Sequence, residues 1–575
     1  MRKNILNAKR LLPFFVMVVV LACSSSAFAN ATIIIVNANA PNVGFNDPTP
    51  AAPVGGNPGT TLGQQRLNAF NHAAQIWGST LDSPVTIRIQ AAFVPLGPGV
   101  LGSAGATYFV RDFGSVGLFP GAEYPLTWYF ATLADKRAGT EIHPTPGFPD
   151  IVANFSSNFN FYLGLDNNHG AQNDLVTVLL HEFGHGLNFA NRVDEASGTQ
   201  PSGLTDIYAR HTLDNTSGLT WNLMTNAQRQ ASAINFGNVV WTGANVTAAA
   251  PNVLILGSPE VRVLTPPAIA GVKQFGTAQF GPQIPTMPAP VSGTVVPVVD
   301  VDEDGAGTAN TTTDGCTAPL NAAAIAGNIA LVERGGCGFV NKGRIASEAG
   351  AIGVIIYNQA ANAAAAPPGM AGDGVNDPFV TAPTVSLRRV DGLALVANPG
   401  ATAIIGRNPA IRAGADLVGK VRLYMPNPVI AGSSGSHFDQ VAFKNLLMEP
   451  NINADLTHDV SSVNGNDLTL ELLRDVGWFA DADNDGLPDD TDCEPNSNFA
   501  PTVVIGTCDS GVTNFFFTSG CTFSDLINHI AENSSNHGQF VSQTNHLLNQ
   551  MKKQGLITDA QKDILSSCAG GAKIP

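Results

Sequence analysis

The chain has 575 residues and a formal net charge of −16, too long for one ordinary hydrophobic core, so about two to four domains are expected. The acidic balance excludes nucleic acid as a partner. Only 13% of residues are charged while Gly, Ala, Asn, Thr and Pro abound, which favours loops and short strands over long surface helices.

At the start of the chain, Arg2, Lys3, Lys9 and Arg10 precede the apolar run 11–22, and Ala27-Phe28-Ala29 supplies a small-x-small cleavage site. This is the pattern of a secretory signal peptide over 1–29, with cleavage near Ala29 and an extracellular product. The competing reading takes Val20-Leu21-Ala22-Cys23 as a lipoprotein box with Cys23 acylated. No later stretch is apolar for long enough to form a transmembrane segment. The cysteines after the leader are Cys316, Cys337, Cys493, Cys508, Cys521 and Cys568, and an even number in an exported protein suggests disulfides. Nothing in the sequence speaks to oligomeric state.

Residues 32–36 are a β-branched run that predicts a first strand. From 62 to 77 the positions Leu67, Phe70, Ala74 and Trp77 step by three and four, predicting an amphipathic helix, and 85–93 alternates as a strand. These open a first part assigned to 30–257. In 151–163, Phe159 and Phe161 share one face and Asn158, Asn160 and Tyr162 the other. The segment reads equally as a sheet edge that pairs with an extended peptide and as an ordinary half-buried strand.

The stretch 176–191, VTVLLHEFGHGLNFAN, puts His181, Glu182 and His185 in one apolar helix. Residues four apart share a helical face, so two imidazoles in H-E-x-x-H can grip one metal ion. Glu182 is placed to take a proton from water and pass it to a leaving amine, which is metal-assisted hydrolysis. Leu175, Val176, Leu179, Leu180, Phe183 and Leu187 bury the rest of the helix, and zinc is the natural partner to offset desolvation of the polar trio. Gly184 and Gly186 each cost roughly 1 kcal/mol against Ala in a helix, which predicts a close approach by another segment or by substrate.

From 258 to 416 the chain becomes rich in Ala, Gly, Pro and Val and almost free of aromatics. Within it, GNIALVERGGCGFVNKGRIASEAGAIGVIIYN reads strand, turn, helix, strand. This resembles the protease-associated (PA) domain, a non-catalytic module inserted in secreted proteases, and the resemblance implies Cys316 and Cys337 as a disulfide pair. Asp300, Asp302 and Asp304 fit a solvated acidic loop better than a calcium site.

Residues 417–480 contain His437 and then Leu446-Leu447-Met448-Glu449-Pro450. With these, the chain resembles secreted zinc metalloproteases of the metzincin type and is most similar to leishmanolysin-like enzymes. In those, the third histidine lies far from HExxH, past an inserted region, and precedes a methionine turn. The resemblance implies one catalytic zinc held by His181, His185 and His437, with Glu182 as base, Met448 as the turn, and protein or peptide substrates. It implies an α+β fold, a metzincin-like domain interrupted by a PA-type α/β insert. Asn188 stands where metzincins commonly have Gly, and Asn191 where their compact form has its third ligand. Nearer candidates for that ligand are His211, Asp194 and Glu195, with His458 just beyond the methionine. A rival class is a cell-surface binding protein with a structural metal, which would have no need of a base at Glu182.

The string DADNDGLPDDTDC follows, with Asp481, Asp483, Asp485, Asp489, Asp490 and Asp492. Alternate carboxylates around a Gly turn can wrap a hard cation, and the string, within 481–500, resembles a calcium-binding thrombospondin type 3 repeat; a plain acidic linker is the alternative. The tail, 501–575, predicts helices at 524–532, 539–553 and 558–567, the last opening on a capping box at Thr558. A bridge between Cys521 and Cys568 is expected to staple it.

Overall fold

The computed structural model of the protein describes residues 30–115, 121–302, 311–479, 489, 492–517 and 519–574. The signal peptide with Cys23, Asp304, and Asp481, Asp483, Asp485 and Asp490 of the acidic string lie outside the described residues. No helix among the described residues is long and apolar enough to cross a membrane.

The first part builds one mixed sheet from β1 (Ile33–Asn37), β2 (Ile87–Val94), β3 (Gly102–Ala106) and a later strand, β6 (Ile151–Ser156). A two-residue ribbon, β4 (Phe109–Val110) with β5 (Tyr129–Phe130), lies between β3 and β6 in sequence. The sheet order is β1-β2-β6-β3. The first three strands are mutually parallel and β3 runs antiparallel to β6, with Ala104 opposite Ala153. Helix α1 (Leu62–Thr80) starts where Thr61 accepts a hydrogen bond from the Gln64 amide. Its buried face, including Phe70, Ala73 and Trp77, shares one core with Leu175, Leu179, Leu180 and Phe183 of helix α3 (Leu175–Gly186). The Trp77 indole N–H donates to the Leu180 carbonyl at 3.2 Å, so burying the ring costs no lost hydrogen bond.

Of the two readings of 151–163, the structure gives the ordinary strand and not the sheet edge. β6 stops at Ser156 and lies between β2 and β3, and the alternation of Phe159 and Phe161 falls in the turn beyond it. The edge beside the histidines is β3, whose sequence Gly-Ser-Ala-Gly-Ala has no apolar alternation to betray a strand. Its extended form comes from pairing with β6, an instance of tertiary context overriding propensity.

The two glycines of α3 are where the close approaches fall. A Cβ built on Gly184 would lie 2.9 Å from Met448 Sδ, and one on Gly186 would lie 2.5 Å from Ile151 Cδ1. Helix α2 (Ala131–Ala138) packs at the end of α3, with Thr132 Oγ1 donating to the Gly186 carbonyl at 3.0 Å. Trp478 Nε1 donates to the Leu187 carbonyl at 2.8 Å, so two of the carbonyls a helix end leaves without partners are satisfied.

Strands Leu256–Thr265 and Thr402–Arg412 pair antiparallel, with Leu256 opposite Arg412. Between them Val291–Pro297, Ile329–Glu333, Gly353–Tyr357 and Thr384–Leu387 form successive parallel pairs in an eight-stranded sheet. Helix Phe339–Glu348 joins the second and third of these, and two buried clusters, around Ile355 and Val354, belong to this insert alone. The chain leaves and returns side by side: the Ala413 amide donates to the Ile255 carbonyl at 2.9 Å, and Ile255 in turn to Phe443 at 2.8 Å.

The tail pairs a hairpin, Thr502–Ile505 with Cys508–Thr513, with three helices, Phe523–Glu532, His537–Lys553 and Asp559–Gly571. Thr558 with Gln561 forms the capping box. The bridge expected between Cys521 and Cys568 does not form. Cys493 pairs with Cys521 and Cys508 with Cys568, at Cα separations of 5.4 and 5.5 Å. The reason is the hairpin: Val503, Ile505 and Val512 pack against Leu565 and Ala569, which brings Cys508 to the last helix. Cys316 pairs with Cys337 at 5.7 Å.

Gly186→Ala tests the packing under α3. Ile151 is fully buried and cannot swing aside, so overpacking is expected to exceed the helix-propensity gain and cost about 1–3 kcal/mol. Urea denaturation should show a lower midpoint; an unchanged one would mean that the strand yields freely.

Candidate metal centre

Helix α3 begins at Asp174, whose Oδ2 accepts hydrogen bonds from the Thr177 amide and hydroxyl, both at 2.8 Å. Two turns on, His181 and His185 project from one face. His437 arrives on the chain that follows the insert, and the three Nε2 atoms stand 3.2, 3.2 and 3.3 Å apart. Each ring is held from behind by a backbone carbonyl at its Nδ1: Leu447 for His181 at 2.7 Å, Phe189 for His185 at 2.8 Å and Ser433 for His437 at 2.8 Å. A carbonyl only accepts, so each Nδ1 carries the proton and each Nε2 presents a lone pair. Burial holds the rings neutral, with His181 lowered to about 4, His185 to about 3 and His437 well below the usual histidine range.

The donor set fits a tetrahedral metal ion. Two nitrogens each about 2.0–2.1 Å from such an ion are roughly 3.3 Å apart, which is the spacing found here. Three nitrogens on one side leave the fourth position facing the cleft. Among the described residues only one other cluster of three His, Cys, Asp or Glu donors exists, and it holds neither of the nearer histidines.

Glu182 is 7% exposed beside this trio, and burial pushes its carboxyl up to about 8, against a hydrogen bond from the Ala104 amide that lowers it. Gly102 makes room for it: a Cβ there would lie 2.9 Å from Glu182 Cγ and Oε1. Around them runs a cleft of about 780 Å³ lined by 99–106, Phe109, Phe130, Phe159 and Ile452 as well as the histidines. On β3 the Thr107 amide bonds the Asp150 carbonyl, and the Leu101 carbonyl accepts from the Ser156 amide. By alternation, Leu101, Ser103, Gly105 and Thr107 address β6, whereas Gly102, Ala104 and Ala106 turn their amides and carbonyls to the open edge.

Met448 is fully buried with its sulfur against Gly184, and the Met448 carbonyl accepts from the Phe438 amide at 2.8 Å. The turn is fixed by carboxylates. Leu447 N–H donates to buried Asp467 at 2.6 Å and Leu446 N–H to buried Glu449 at 2.7 Å. Asn188 takes φ +86°, the left-handed conformation that Gly would otherwise supply, and its Oδ1 accepts from the Phe130 amide at 3.0 Å. Asn191 bonds Ser436 Oγ at 3.1 Å and Glu195 Oε1 at 3.0 Å, tying the loop after α3 to the residue before His437.

The structure does not bring the nearer candidates to the trio. His458 donates its Nε2–H to Asp174 at 2.7 Å, bracing the start of α3. His211 lies flat on Trp241 with ring centroids 5.0 Å apart. Asp194 accepts from the Ala196 amide in its own loop. Sequence reasoning missed the three carbonyls behind the imidazoles, which leave no side-chain signal, and the edge strand, whose only sign was its glycine content.

Residues 291–395 match the family model of the PA domain. The chain contains a PA domain. His181, Glu182, His185 and His437 lie outside the matched residues. A stretch of 69 residues is 48% identical to an aminopeptidase of Pseudomonas aeruginosa, in each of two strains, and covers 12% of this chain and 12% of that protein. The chain thus spans about an eighth of the length of the curated relatives it matches. Among solved structures, a zinc aminopeptidase from Bacillus subtilis is 19% identical over 28% of this chain and 36% of its own, with a TM-score of 0.19. A subtilisin-like protease from Pseudoalteromonas sp. AS-11 is 20% identical over 27% of this chain and 29% of its own, with a TM-score of 0.17.

Replacing one histidine at a time separates ligands from neighbours. His437→Ala is expected to lose most of the zinc at neutral pH, while His211→Ala and His458→Ala keep it. The last should lose about 1–3 kcal/mol of stability with the donor to Asp174. Metal analysis of the purified variants decides; a full complement of zinc in His437→Ala would reject the trio.

Proposed function

We propose that the protein is an exported zinc-dependent endopeptidase of the metzincin type, carrying a PA domain as an insert. The observation that carries this reading is the convergence of three Nε2 atoms within 3.3 Å of one another, with Glu182 buried beside them and an open strand edge alongside. Zinc held there supplies Lewis acidity to a water and to the peptide carbonyl. Glu182 takes the water's proton and returns it to the leaving amine, and burial in an apolar wall raises its basicity for that task. β3 orients the substrate: an extended peptide adds as a further strand through the outward amides and carbonyls of Gly102 and Ala106 and the carbonyl of Ala104, whose amide is held by Glu182. The Leu447 carbonyl holds His181 from behind, and Met448 packs under the helix at Gly184.

The cleft favours cleavage within a chain over removal of a terminal residue. An aminopeptidase site needs an acceptor for the substrate's ammonium group, and Glu182 is the only carboxylate among the described residues lining the cleft. Export is supported by three disulfides. A binding protein with a structural metal is disfavoured because Glu182 lines the same cleft as the three histidines, and a structural centre needs no base there.

Glu182→Gln keeps the size of the side chain and removes the base. Hydrolysis of casein and of an N-terminally blocked peptide should fall by at least about 10²-fold with zinc content unchanged. Comparable rates in variant and wild type would sink the mechanism. Rates confined to peptides with a free amino terminus would instead make the enzyme an exopeptidase.

A further inference from the structure

A second group of ionisable side chains lies just beyond the Ala106 end of β3. Asp135 on α2, Glu141 in the loop after it and Asp150 immediately before β6 each offer one carboxylate oxygen, and the three oxygens lie within 4.8 Å of one another. Asp135 is 2% and Asp150 1% exposed, while Glu141 is half-buried and opens the group to solvent. The protein's own donors only partly satisfy them. The Arg88 amide donates to Asp150 Oδ2 at 2.7 Å and its guanidinium to Glu141 Oε2 at 3.2 Å. The Tyr108 hydroxyl lies 2.8 Å from Asp135 Oδ2 and 3.3 Å from Glu141 Oε1, and the Ile142 amide donates to Asp135 Oδ1 at 2.9 Å. Asp150 Oδ1, though buried, has no hydrogen-bond partner among the described residues.

Three carboxylates beside one guanidinium, with a buried oxygen that nothing satisfies, is costly unless a further positive charge completes it. Burial, with repulsion from Glu141 in both cases, pushes Asp135 up to about 7 and Asp150 to about 6. The donors are all oxygen, which suits a hard cation and not zinc. Their mutual separation fits within the roughly 4.8 Å between oxygens on opposite sides of an ion that each approaches to about 2.4 Å.

We propose that Asp135, Glu141 and Asp150 bind a calcium-class divalent cation that fixes the end of the edge strand. The ion would join four pieces: β2 through Arg88, the start of β6 through Asp150, α2 through Asp135, and the residues that follow β3. Those residues are already fastened there, Thr107 by its amide to the Asp150 carbonyl at 2.9 Å and by its hydroxyl to the Pro149 carbonyl at 2.5 Å. The site is independent of the zinc reading, and so is its test.

Calcium titration of the full zinc-loaded chain reads the proposal without reading activity. The background carries Asp481→Asn, Asp483→Asn, Asp485→Asn, Asp489→Asn, Asp490→Asn and Asp492→Asn, which removes the carboxylates of the acidic string as a competing site. One calcium should still bind and raise Tm by roughly 5–10 °C at a hundredfold excess over Kd, with magnesium binding weaker. Adding Asp150→Asn, or Glu141→Gln at the half-buried position if the first does not fold, should weaken calcium at least about tenfold and abolish the shift. Because either change relieves like-charge repulsion, Tm without calcium should hold or rise. The proposal is overturned if the background variant binds no calcium, or if binding survives both substitutions. A lower Tm with and without calcium, and no calcium response in the parent, would make the group a hydrogen-bonded carboxyl cluster instead.

Discussion

The site depends on three hydrogen bonds from imidazole Nδ1–H groups to main-chain carbonyls. Without them, rings at 181, 185 and 437 would be free to rotate and to change tautomer, and three lone pairs held 3.2–3.3 Å apart would be an unfavourable arrangement. The carbonyls come from the methionine turn, from the reversal after α3 and from the loop before His437, so each structural oddity nearby has a part in aiming one ring. The left-handed Asn188 lets the chain turn so that Phe189 can present its carbonyl to His185. The carboxylates Asp467 and Glu449 hold the turn that presents Leu447 to His181.

The same requirement shapes the connection between the halves of the site. His437 is 252 residues beyond His185, and closing so long a flexible loop would be entropically unfavourable, although the penalty grows only logarithmically. The insert that carries the PA domain reduces it. Its entry and exit strands are antiparallel neighbours, so most of the intervening chain folds into its own core, and the two ends emerge together. Around the exit, Trp241 N–H bonds the Val421 carbonyl and Leu423 N–H bonds that of Val239, which carries the order of the first part directly into the segment bearing His437.

What the sequence made legible follows from how each signal is encoded. The H-E-x-x-H helix has its candidate chemistry within five residues, and the amphipathic helix at 62–80 has its apolar face written at regular steps, so both could be read locally. His437 could be reached only through resemblance, because nothing in 252 residues of spacing points to it. The edge strand at 102–106 was not legible for a physical reason: its Gly and Ala residues carry no hydrophobic pattern, while the alternating phenylalanines beyond β6 left 151–163 open between an edge and an ordinary strand. The Cys508–Cys568 bridge was missed with the hairpin that creates it. The carboxylates at 135, 141 and 150 form no motif and meet only because α2 and β6 converge.

The central claim is that three imidazole nitrogens hold one metal ion and leave a fourth place to solvent. X-ray absorption at the zinc edge of the metal-loaded wild-type protein reads this directly. Four light-atom neighbours near 2.0–2.1 Å are expected, with the outer-shell scattering of three imidazoles and the fourth neighbour exchangeable for an added anion. Scattering from two imidazoles, or four protein ligands with no exchangeable position, would contradict it.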